Sequence, residues 1–170
     1  MSSTGMSSTG MSSFGSGADL KSRLQSDLTE AIRARDEVRS ATLRMALTAV
    51  RAAEVAGTSA RTLSDDEVEG VLGREAKKRR EAVTAYTEAG RADRAERESA
   101  ELAVLEGYLP QQLSDEELSG IVADAVTEAS AAGPAGPAAM GRVMKLVQPR
   151  VARRAEGSRV AAEVRRQLSS

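Results

Sequence analysis

Residues 113–129 read LSDEELSGIVADAVTEA, and within them Leu118, Ile121, Val122, Ala125, Val126 and Ala129 fall at i, i+3, i+4, i+7, i+8 and i+11. That spacing places all six on one side of an α-helix and on both sides of a strand, so it selects a helix with one buried face. The start of the helix is written in the same stretch. Ser114 is placed to accept a hydrogen bond from the free amide of Glu117, the Glu117 carboxylate can reach back to the amide of Ser114, and Leu113 and Leu118 can close a hydrophobic staple. The device occurs twice. Fifty residues earlier LSDDEVEGVL, residues 63–72, offers Ser64 and Glu67 as a capping box with Leu63 and Val68 as its staple.

Outward from these two starts the helical period continues, and no segment shows the apolar alternation of a strand. Leu20, Leu24, Leu28 and Ile32 make the stripe of a first helix, and Leu43, Leu47 and Val50 the buried face of a second, with Gly57 at its exit. Val68, Val71, Leu72, Ala76, Val83 and Tyr86 face inward from a third, punctuated by Gly90. Leu102, Leu105 and Leu109 belong to a fourth, which must stop at or before Pro110 because proline cannot continue the hydrogen-bond ladder. After the LSDEEL helix, GPAGP at residues 133–137 is a stop; Met140, Val143, Met144 and Val147 give a short helix ended by Pro149, and Val160, Val164 and Leu168 a last one capped by Ser158. The expected fold is all-α: a disordered tail at residues 1–17, an N-terminal four-helix domain at 18–110, and a small three-helix domain at 111–170. The tail carries a repeat, MSSTG MSSTG MSSFGSG, with no charge and too little apolar surface to bury.

Composition removes whole classes of function. The 170 residues contain no histidine and no cysteine, so no Ser-His-Asp triad, thiolate nucleophile or Cys/His zinc site can be assembled. Aromatic residues are 2% of the chain, which rules against a base-stacking platform. No run approaches the length of an apolar membrane span, nor does the start resemble a secretory or transit signal, so the expectation is a cytoplasmic chain with no membrane partner. No Walker loop, EF-hand or dinucleotide fingerprint is present, and the sequence calls for no catalytic residue, metal or cofactor.

Charge is unevenly distributed. Residues 1–97 hold 16 basic and 15 acidic side chains, residues 98–141 hold eight acidic and no basic ones, and residues 142–170 hold eight basic against two acidic. The acidic groups Asp65, Asp66, Glu67 and Asp115, Glu116, Glu117 sit in first helical turns, where the helix dipole and the capping boxes account for them. The run Glu75, Lys77, Lys78, Arg79, Arg80, Glu81 wraps around a helix rather than gripping one ligand, and i, i+3 and i, i+4 pairing gives it a salt-bridged face. The C-terminal bases are different. Arg150, Arg153 and Arg154 are expected in the connection before the last helix, beside its free amides, an arrangement suited to phosphates; the alternative is that they only keep a small domain soluble.

Several stretches resemble a known family. Glu75, Lys77, Lys78, Arg79 and Tyr86, then Ala89-Gly90-Arg91-Ala92-Asp93, then Tyr108-Leu109-Pro110-Gln111-Gln112-Leu113-Ser114 look like the bacterial YqeY family. Met140-Gly141-Arg142-Val143-Met144, with Val151, Ala155, Glu156-Gly157 and Val160, is similar both to that family and to the tail domain of the GatB subunit of glutamine-dependent tRNA amidotransferase. The resemblance implies a helical bundle followed by a tail-like module that grips tRNA, in a family labelled as carbon–nitrogen ligases with glutamine as amido-N-donor; this chain matches the tail and not the catalytic cradle. Family members usually carry lysines around Arg150, Arg153 and Arg154, so positive charge is kept. The leading expectation is a non-catalytic, tRNA-amidotransferase-related protein that binds tRNA through Arg142, Lys145, Arg150, Arg153, Arg154 and Arg159, with an amidotransferase or other translation-related protein as a further partner. Two rivals stand beside it: an enzymatic one, a carbon–nitrogen ligase activity with glutamine as amido-N-donor, accessory to amide transfer, and a protein adaptor that docks through the acidic span from Glu98 to Glu128.

Overall fold

The computed structural model describes residues 19–134 and 136–169. The expected disordered tail at residues 1–17 lies outside the described residues. The helices are α1 (Leu20–Arg33), α2 (Glu37–Glu54), α3 (Asp65–Glu88), α4 (Ala92–Glu106), α5 (Asp115–Ala131), α6 (Met140–Val151) and α7 (Gly157–Leu168), with one 3-10 turn at Gly136–Ala139. The fold is all-α, with no strand among the described residues. None of these helices is long and apolar enough to cross a membrane.

The chain divides into two compact units, the first ending at Leu105 and the second beginning at Glu106. In the first, α1, α2 and α3 pack on one another around Leu24, Leu43, Leu47, Val50, Val68 and Leu72, all nearly inaccessible to water. Asp19 caps α1 by accepting from the Ser22 amide at 2.7 Å, and Asp36 caps α2 by accepting from Arg39 at 3.0 Å. The capping box of α3 forms as its spacing requires: the Glu67 amide donates to Ser64 Oγ at 3.3 Å and the Ser64 amide donates to Glu67 Oε2 at 2.9 Å. One residue of the α1 stripe departs from expectation, since Ile32 is 48% exposed while Ala31 is buried. Steps of four residues advance about 40° around a helix, so three steps from Leu20 carry Ile32 off the buried face. Gly90, at φ +69°, closes α3 while the Arg91 amide donates back to the Tyr86 carbonyl at 2.8 Å, a left-handed exit that glycine adopts without cost.

In the second unit α5, α6 and α7 pack on each other around Leu118, Val122, Ala125, Val143, Val147 and Val164. The second capping box is also formed, with Glu117 donating to Ser114 Oγ at 3.1 Å and Ser114 donating to Glu117 Oε2 at 2.8 Å. Two C-terminal expectations are corrected. Pro149 lies inside α6 and does not end it; the helix runs to Val151. The missing proline N–H removes a single bond in the final turn, and burial of Val151 holds that turn in place. Ser158 is not the cap of α7, because the helix starts at Gly157 with Glu156 at the cap position, two residues before Ser158, and no side-chain capping bond.

Candidate nucleic-acid interface

The six basic residues singled out from the sequence are all in the second unit, yet the structure gives them different tasks. Arg142, in the first turn of α6, donates from Nη2 to the Pro134 carbonyl and lays its guanidinium against Gly133, where an added Cβ would stand 3.3 Å from Cζ. It ties the first turn of α6 to Gly133 and Pro134. Lys145, three residues along α6, is exposed. Arg150 lies in the last turn of α6, not in the connection after it, and pairs with Glu128 of α5.

The connection itself turns through two consecutive non-glycine residues in the left-handed region, Ala152 at φ 44° and Arg153 at φ 65°. Each such residue costs on the order of 1 kcal/mol. The turn is held by the Ala152 amide on the Gln148 carbonyl at 3.1 Å and the Arg154 amide on the Val151 carbonyl at 2.8 Å, and it leaves the Arg153 side chain exposed.

Arg154 and Arg159 turn inward on the chain. Arg154 Nε donates to the Gln111 carbonyl at 3.0 Å, while its own carbonyl accepts from the Leu113 amide at 2.7 Å. Arg159 Nη1 donates to the Leu113 carbonyl at 2.9 Å, and its Nε and Nη2 reach Asp115 Oδ1 at 3.2 and 2.6 Å. Together they clasp the extended segment that leads into α5. Sequence reading missed the clasp. Its signal was Pro110, which stops helical pairing and so leaves the following carbonyls in need of other donors.

A second cluster lies in the first unit. The Glu75–Lys78 and Lys77–Glu81 pairs form at 2.7 and 4.0 Å, as a salt-bridged face requires. Arg79 leaves that run and points to α4: its Nε is 3.0 Å from Glu101 Oε2 and 3.5 Å from Glu98 Oε2. Neither contact has the geometry of a hydrogen bond, although Arg79 Nε and Glu98 Oε2 are both sealed from water. A polar cleft of about 460 Å³ opens beside Glu98 and Glu101, lined also by Tyr86, Asp93, Arg94 and Arg97. The Arg94 guanidinium stands 5.9 Å from the centre of the Tyr86 ring, a cation–π contact. Among the described residues no group of three or more acidic side chains is arranged to hold a metal ion.

The family model of the Yqey-like proteins matches residues 21–168. The chain belongs to the YqeY family. The match spans both units of this YqeY chain, so the clasp on residues 111–115 and the cleft beside Glu98 both lie within the family's extent. Comparison with curated proteins gives no match.

Proposed function

We propose that this YqeY-family chain is a non-catalytic RNA-binding protein, that tRNA is its ligand, and that an amidotransferase or another translation-related protein is the setting in which it works. Lys145, Arg150 and Arg153 contact phosphates, and Arg142, Arg154 and Arg159 hold the surface that presents them. The observation that supports this reading is the placement of the basic segment: residues 142–170 hold eight basic side chains against two acidic ones, and the turn at Ala152 and Arg153, just after the last turn of α6, leaves the Arg153 side chain exposed. The resemblance of that segment to the tail domain of GatB supports the same ligand. With two tyrosines and one phenylalanine in the whole chain, RNA is read by shape and phosphate position instead of by stacking on bases.

The test is a fluorescence-anisotropy titration of total bacterial tRNA with the intact protein and with the variant Lys145→Glu/Arg153→Glu, at two salt concentrations. Removing two phosphate contacts lowers affinity by about tenfold or more and reduces the slope of log K against log salt by about two. Equal affinity and slope for the two proteins would remove RNA binding from this surface.

A further inference from the structure

The cleft of about 460 Å³ between the end of α3 and the first half of α4 carries a positive charge that the chain does not neutralise. Its lining is five charged side chains and one tyrosine: Tyr86 from α3, and Asp93, Arg94, Arg97, Glu98 and Glu101 from α4. Each of the three carboxylates already has a cation. Glu101 lies 3.0 Å from Arg79 Nε and 3.4 Å from Arg97 Nε, Glu98 lies 3.5 Å from Arg79 Nε, and Asp93 lies 4.0 Å from Arg91 Nε. With Arg94 included, four guanidinium groups meet three carboxylates. The neighbouring acids Glu88 and Glu96 are outside the lining. The group left over is Arg94, whose side chain forms no hydrogen bond or ion pair with any described residue.

Arg94 is restrained while its donors stay open. Its guanidinium stands 5.9 Å from the centre of the Tyr86 ring, and contact with a ring holds the cation without consuming the N–H groups that lie in its plane. The Tyr86 hydroxyl is likewise without a partner among the described residues, and it adds a neutral donor to the same lining. The volume falls within the roughly 300–1,000 Å³ of small-molecule sites. One positive charge in excess suits one negative charge. A phosphate monoester brings nearly two and an RNA strand brings a row of them, and the surplus would face Asp93, Glu98 and Glu101. A carboxylate brings one, on a planar pair of oxygens that matches the guanidinium fork. A lining made of charges offers nothing to an apolar body. We propose that the cleft binds a small polar monocarboxylate, with its carboxylate on Arg94 and the polar groups of its body toward Tyr86 and Arg97.

The inference is independent of the RNA surface on the second unit and is tested separately. The probe is gluconate, a hydroxyl-rich monocarboxylate, titrated into the intact protein and followed by the backbone amide signals of two-dimensional proton–nitrogen NMR spectra. Gluconamide, its uncharged counterpart, and inorganic phosphate are titrated alongside. The signals of Tyr86, Arg94 and Arg97 move with gluconate and saturate with a Kd of about 10 mM or below, and gluconamide leaves them in place. Arg94→Gln weakens gluconate binding about fivefold or more. It folds as the parent does, because Arg94 is exposed and its side chain bonds to nothing in the chain. Arg44→Gln, which removes an exposed arginine outside the cleft, binds gluconate as the parent does. Four results overturn the proposal: no saturation by gluconate up to about 100 mM, equal movement with gluconamide, an unchanged Kd in Arg94→Gln, or phosphate saturating the same signals at lower concentration than gluconate. The last would make the cleft a phosphate site.

Discussion

Arg159 divides its guanidinium between two partners of unequal worth. The Asp115 carboxylate is 95% exposed, and an ion pair in that setting contributes a few tenths of a kcal/mol, since water screens it and two side chains must be held still. The Leu113 carbonyl accepts Nη1 at 2.9 Å in a partly buried position, and leaving such a group without a donor costs about 1–2 kcal/mol. Arg159→Ala therefore lowers the unfolding free energy by about 1–2 kcal/mol while Asp115→Asn changes it by less than about 0.5 kcal/mol, as read from urea unfolding. Equal costs would mean that the ion pair carries the contact. Arg142, Arg154 and Arg159 stand out in the sequence as charges, but their partners Pro134, Gln111 and Leu113 are backbone carbonyls, which every residue carries and no sequence pattern marks.

Elements were legible where their determinants are local. Both capping boxes are complete within four residues, and both helices start where Ser64 and Ser114 place them. Helix ends depend on distant contacts, and there sequence reading fell short: the last turn of α6 survives Pro149 because Val151 is buried beyond it, and α7 begins without the serine cap its sequence offers. The cap of α3 also carries a pH dependence. Two hydrogen bonds from the Arg61 guanidinium, then the Ser64 amide, hold the Glu67 carboxyl at about 2, against an ordinary 4.5. On α7 the Arg166 guanidinium, then the Gln167 amide group, holds Glu163 at about 2. In both cases the folded state favours the charged form. The stabilisation is therefore complete above the unfolded value of 4.5 and is lost as pH falls toward about 2. Thermal unfolding followed across that window drops less steeply in Glu67→Gln and in Glu163→Gln than in the parent chain. Curves that stay parallel would show that neither carboxylate is held by its arginine in solution.

At the scale of the whole molecule the acidic and basic blocks were plain in the sequence, and the two units follow from separate cores. The second core is built mostly from valine and alanine, Val122, Val143, Val147, Val151, Val160 and Val164 with Ala125 and Ala129, so each side chain contributes less burial than leucine or phenylalanine would. A domain of this size is near the lower limit of what a single apolar core supports. Backbone and side-chain bonds to the entering segment then matter in proportion. The clasp from Arg154 and Arg159 to Gln111, Leu113 and Asp115 falls wholly inside residues 106–170, and so does each residue of that core. Residues 106–170 produced alone should thus melt cooperatively with helical circular dichroism. Arg159→Ala should cost the fragment the same as it costs the intact chain, within about 0.5 kcal/mol, because mutational effects carried by local partners are additive with distant ones. A fragment that melts without a transition, or one in which Arg159→Ala has no effect, would mean that the clasp is held by the rest of the chain, and the arginines would then have to be reassigned from positioning the second unit to some task outside it.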